Sequence, residues 1–278
     1  MESVHTNIDE WKAKKQQERD SVIDAQRKAL DAVMQSEQSL GEYLVGRGRL
    51  GSYISSGNAA LILQANPKAR GVKNYKQWQD FGRNVSKGAV GIPILVRQNK
   101  YFNVDKVFDV SQTYGNRPFP SPFIAKKPEQ LANALDALKE LCPVDVEFQP
   151  DAPQIAAYDR ERGAVICRTD VPPQEMFQFL PGAVLHAFTE QHTPGVSDLP
   201  LMQIYGAAVS VELCGRFGIP LPEHYEERLN GFREHLEDRT PREMLEELRE
   251  TARAMGDCVE RSLSIQKDAP EPVTEQAR

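Results

Sequence analysis

The chain contains no run of apolar residues near the roughly 18 that a bilayer-spanning helix requires, so no membrane partner is expected. Its first stretch, MESVHTNIDEWKAKKQQERD, lacks the apolar centre of a secretory signal, and a cytoplasmic location is expected. Cysteine is scarce: Cys142, Cys167, Cys214 and Cys258 lie far apart and form no CxxC pair. That spacing indicates neither a zinc ribbon nor a disulfide framework. The four read as small buried apolar residues. There are only five histidines, no HExxH order among them, and no internal repeat.

With 278 residues, 40% hydrophobic and 27% charged, the composition is that of a globular protein of one large or two smaller domains. The net charge of −6 would argue against a nucleic-acid partner, but it is unevenly spread. Residues 43–106 hold eleven Lys or Arg against two acids, a local net of +9. Residues 221–278 hold fifteen acids against nine basic residues, a local net of −6. The N-terminal half therefore carries the basic footprint.

Periodicity and punctuation give an α+β chain. Helices are expected over 8–33, over 36–48 and over 55–65, the last capped by Ser55 or Ser56, and a short amphipathic one over 74–83. Two strands, IPILVR and KYFNVDKVFDV, read as a hairpin. Pro118, Pro120, Pro122 and Pro128 mark a linker and the best domain boundary. Beyond it come a helix, three short strands with a turn at Arg162-Gly163, helices over 173–192 and 199–217, and a long charged helix from 240. The expected division is a small basic helix-plus-hairpin domain (1–120), a mostly helical domain with a small sheet (121–265) and a disordered tail (266–278).

In the basic half, cations are interleaved with aromatics: Arg47, Arg49, Tyr53, Lys68, Arg70, Lys73, Tyr75, Lys76, Trp78, Arg83, Lys87, Arg97 and Tyr101. Cations track phosphates and exposed rings stack unpaired bases, which suits single-stranded nucleic acid better than duplex. Trp78 and Phe81 also fit a core position, and lysine-rich surfaces are often only solvated.

The order of residues resembles the N-terminal domain of the ArdC-type antirestriction proteins of plasmids and integrative conjugative elements. The resemblance spans about 42–115. It rests on the helix carrying Asn58 just after Tyr53, the NP-x-A turn at Asn66-Pro67, W-x-x-x-G-R from Trp78 to Arg83, KGxxGI from Lys87 to Ile92, and FDVSQT from Phe108 to Thr113. It implies a domain that binds single-stranded DNA without strong sequence preference. Under it, Arg83, Lys87 and the turn at Gly88 and Gly91 would approach phosphates, with Arg47 and Arg70 extending the track. Gln112 would contact a base edge or fix the strand end.

In that family a zincin-like domain follows. Its helix would carry two histidines at i and i+4 with a glutamate after the first, and a later helix a third ligand. Aligned on His186-Ala187, the stretch LPGAVLHAF puts Gly182 at the first histidine and Ala183 at the glutamate. Ala207 then falls at the acidic ligand. Three of the four chemical groups are missing, so a degenerate, catalytically inactive domain without a cofactor is expected. One alternative is a zinc peptidase with a rearranged site, in which His186, Glu190 and His192 are the candidate ligands. Another is antirestriction by protein contacts, with a restriction or conjugation protein as partner and the acidic C-terminal half as a DNA-like surface.

Overall fold

The computed structural model describes residues 2–51, 53–98, 101–120, 123–195, 199–234 and 239–265. The expected tail lies outside them. Helix α1 (Glu2–Val33) buries Val22, Gln26, Ala29 and Leu30, one face at i, i+4, i+7 and i+8. Helix α2 (Glu37–Leu50) is capped by Ser36, whose hydroxyl accepts from the Ser39 N–H, and it stops at Gly51 with φ +92°.

Helix α3 (Ser56–Ala65) starts differently from expectation. Ser55 is the N-cap residue but its side chain makes no cap bond. Instead the Ser56 N–H donates to Glu246 Oε2 at 2.9 Å, a carboxylate from the last helix.

The hairpin is present as β3 (Ile92–Gln98) and β4 (Tyr101–Asp109), antiparallel with Gln98 opposite Tyr101. A strand too short to show alternation, β1 (Val72–Asn74), adds to the other edge of β4. Helix α4 (Tyr75–Asp80) follows directly, with Asn74 and Gln77 forming a capping box. A two-residue pair, β2 (Asn84–Val85) with β5 (Thr113–Tyr114), closes this half.

In the C-terminal half, α5 (Pro128–Leu141) precedes a sheet of order β6-β8-β7, formed by Val146–Gln149, Ala164–Arg168 and Ala156–Asp159. Strands β7 and β8 form the expected hairpin around Gly163, and β6 runs parallel to β8. Helices α6 (Pro173–His192), α7 (Leu199–Phe217) and α8 (Pro241–Ile265) complete the chain. No described helix is long and apolar enough to cross a membrane.

Helix α7 is buried nearly all round, as its run AAVSVELCGRF requires. Two neighbours reach its backbone through glycines. On one side, a Cβ on Gly206 would sit 2.9 Å from Gly182 of α6. On the other, Gly215 packs on the Val45 backbone, and Gly48 of α2 packs on the Glu212 carbonyl. Helix α2 belongs to the N-terminal half and α6 to the C-terminal half. One hydrophobic core accordingly runs from Val22 to Val259 through both.

Adding a methyl at these contacts forces the helices apart. Gly206→Ala and Gly182→Ala are each expected to lower stability by about 1–3 kcal/mol, the usual cost of overpacking. Urea unfolding followed by circular dichroism measures it, and unchanged midpoints would contradict the close approach.

Candidate nucleic-acid interface

Where α2 ends, β1 begins and α8 runs past, a cleft of about 530 Å³ opens between the two halves. The N-terminal half supplies Arg49, Tyr53, Arg70 and Lys73, all expected from sequence. Tyr53 is 87% exposed, its ring lying over Gly51. Arg49 Nη2 donates to the Pro67 carbonyl at 2.8 Å, and burial pulls its pKa down from the ordinary arginine value. Lys73 Nζ sits 5.6 Å from the Phe81 ring centroid. The opposite wall carries Arg216, Arg253, Asp257 and Glu260. There, Arg216 donates to Asp257 at 2.6 Å and to Glu260 at 3.0 Å, and Arg253 Nε stands 3.6 Å from Asp257, so two cations face the two acids.

Lys68, Lys76 and Lys87 are exposed but do not line the cleft, and Arg97 lies exposed on β3 away from it. The remaining five do not line the cleft and engage their polar groups within the protein. Arg47 is 1% exposed beneath α7 and donates through Nη1 to the Gly51 carbonyl at 2.8 Å. Asn58 is buried and bonds both backbone groups of Leu95, at 3.0 Å and 2.8 Å, locking α3 to β3. Trp78 is fully buried; its Nε1–H donates to the Phe108 carbonyl at 2.8 Å, leaving no ring face for a base. Arg83 bonds Thr113 through its hydroxyl and carbonyl and also the Gly115 and Arg117 carbonyls, which uses its donors within the protein. The Gln112 side chain accepts from the Asp109 N–H and donates to the Val90 carbonyl, which fixes the strand end.

Helices α6 and α7 carry the residues that the resemblance would place at a zinc site. His186 is buried, edge-on to Tyr158, and its Nε2 has no hydrogen-bond partner. Burial, then Arg160, lowers its pKa, and Glu190 opposes them. That nitrogen is the one donor. Gly182 faces Gly206 at a distance that leaves no room for any side chain. Ala183 and Ala207 are buried and apolar. The Glu190 carboxylate accepts from Arg160 at 2.9 Å and from the Gly195 N–H at 2.8 Å. His192 stacks on Phe188 in an exposed position, its Nδ1 2.8 Å from the Phe188 carbonyl oxygen. The three candidate ligands do not converge, and these residues do not fit a zinc ion.

The chain is similar in structure to the antirestriction ArdC protein from the R388 plasmid. The metal-free crystal structure superposes with a TM-score of 0.56 at 14% identity, covering 86% of this chain and 98% of that one. The fold is of the ArdC type. The Mn(II)-bound structure of the same protein gives a TM-score of 0.49 at 15% identity, covering 81% and 97%. No family model matches the chain, and neither does any curated protein sequence.

Within this ArdC-type fold, sequence reasoning missed the cleft residues that follow the first prolines: Phe119, Phe123, Lys127 and Gln130. Phe119 and Phe123, read as linker, are fixed by packing, Phe119 against Gly71 and Phe123 against Gly218. The facing glycines were the only available signal.

Beneath the cleft, burial pushes the Glu212 carboxyl up to about 7, while Arg47, Arg216 and Arg249 pull it down and Glu246 pushes it up. Buried Tyr43 stands beside Arg47 in the same group. Because the folded pKa exceeds the unfolded one, this carboxyl favours the folded state most below pH ~4.5, and that contribution is lost as pH rises through about 7. Glu212→Gln is therefore expected to shrink the fall in stability between acid and mildly alkaline pH, by up to about 3 kcal/mol. Urea melts of both proteins on either side of that range decide it; parallel pH profiles would contradict the buried-acid assignment.

Proposed function

We propose that this chain is a protein of a mobile element that binds single-stranded DNA in the basic, aromatic cleft and serves an antirestriction role in the cytoplasm. Tyr53 carries the reading. Its exposed ring stands at a cleft whose Arg70, Lys73 and Lys127 have no acidic partner among the described residues. Cations release counterions from phosphates, and an exposed ring stacks an unpaired base that a duplex would hide. The antirestriction role is supported by the ArdC-type fold together with the motifs over 42–115. The peptidase-like helices serve as a scaffold, a reading supported by the Gly182–Gly206 contact where a ligand would have to project.

Both halves line the cleft, so the full chain is the form to test. It is expected to prefer single-stranded over duplex DNA at low salt, with a log–log salt slope of about −0.7 per phosphate neutralised. Arg70→Glu with Lys73→Glu weakens binding and flattens that slope. Tyr53→Ala costs about 1–3 kcal/mol per stacked base. Equal affinity for duplex would end this reading.

Zinc after chelator-free purification is expected to be substoichiometric and unchanged by His186→Ala. Stoichiometric zinc that disappears in that variant would restore the peptidase reading.

A further inference from the structure

The dimensions and lining of the cleft say more about its occupant, and the argument rests on the single-strand reading above. Ligand pockets typically enclose about 300–1,000 Å³, and this cleft, at about 530 Å³, falls in that class. Its aromatic lining is divided in two. Phe81 and Phe119 are occupied: they pack on each other and on Trp78 with centroids about 6 Å apart, and Lys73 and Arg117 cover Phe81. Tyr53 and Phe123 are the most exposed of the lining rings, at 87% and 36% exposure.

The polar lining is divided as well. Asp257 and Glu260 would repel an anion, but Arg216, its side chain 9% exposed, is bonded to both. Arg49, Arg70, Lys73 and Lys127 line the cleft with no acidic partner among the described residues, and the last three are offered to the anion. Lys127, the N-cap residue of α5, and Gln130 in its first turn both line the cleft, so the positive end of that helix lies on the same wall. Gln130 offers an amide that both donates and accepts, as a base edge requires. A phosphate and a planar base are thus provided for side by side, in a space too confined for a duplex.

We propose that the cleft is a mononucleotide pocket. It takes one unstacked nucleotide of the bound strand, with the base against Tyr53 and Phe123 and the phosphate on Arg70, Lys73 and Lys127.

The test titrates the full chain with dTMP, thymidine and inorganic phosphate by calorimetry, and repeats the dTMP titration as competition against a labelled oligonucleotide. Expected are one-to-one dTMP binding, competition with the strand, and weaker binding of either fragment alone. Phe123→Ala and Lys127→Ala should each weaken dTMP and oligonucleotide in parallel, by about tenfold. Lys127 is exposed, so its variant reads the site without disturbing the core. Phosphate binding as well as dTMP overturns the base-stacking assignment. An oligonucleotide that binds while dTMP does not, with both variants silent, overturns the pocket and leaves the single-strand reading standing. One-to-one dTMP binding without a preference for single strands does the reverse.

Discussion

The arrangement depends on how closely two helices approach α7. Backbones in van der Waals contact need glycine on at least one side, and α7 meets Gly182 of α6 through Gly206 and Val45 of α2 through Gly215. Such contacts leave no gap for side chains to fill and no slack for sliding. The N-terminal and C-terminal halves are each seated on the same helix, one by α2 and the other by α6. The relation between the halves is thereby fixed by four glycines, Gly48, Gly182, Gly206 and Gly215, and their facing backbones.

That seating makes the cleft. Its basic wall comes from segments on either side of α3, and its opposite wall from α7 and α8. Their separation is set by the α2–α7 contact. The charge pattern follows the same division. The acidic C-terminal sequence would oppose a nucleic acid if it faced the cleft unpaired, yet Arg216 holds Asp257 and Glu260 together. Net charge of the whole chain, or of either half, therefore says little about this surface; the pairing decides it.

Much of the fold was legible because its signals are local. Alternation marked the β3–β4 hairpin, Gly163 marked the β7–β8 turn, and helix ends coincided with Gly51 and the prolines. Strands β1, β2 and β5 were not legible, since two or three residues cannot show a period. The site was legible in part. Arg49, Tyr53, Arg70 and Lys73 share the cleft, whereas Arg47, two residues before Arg49, is buried. The sequence around it, GRGRLG, carried a hint: Gly46 packs under Leu63 and Gly48 under α7, so the helix face at Arg47 is pressed against its neighbours. A count of cations cannot register that. Asn58 and Arg83 were misjudged for a related reason, because polar side chains that satisfy distant backbone groups look in sequence like surface ligands.

The bond from the Ser56 N–H to Glu246 spans 190 residues, and that from Arg242 to Gln26 spans 216. Both tie the start of the chain to its last helix. During synthesis the early helices emerge long before α8 exists, so until then the Ser56 N–H and the Gln26 side-chain oxygen are met by water instead. The basic half cannot reach its final form until α8 has been made. Truncation near the C-terminus would consequently be felt first at the opposite end of the molecule, beside the cleft's own helices.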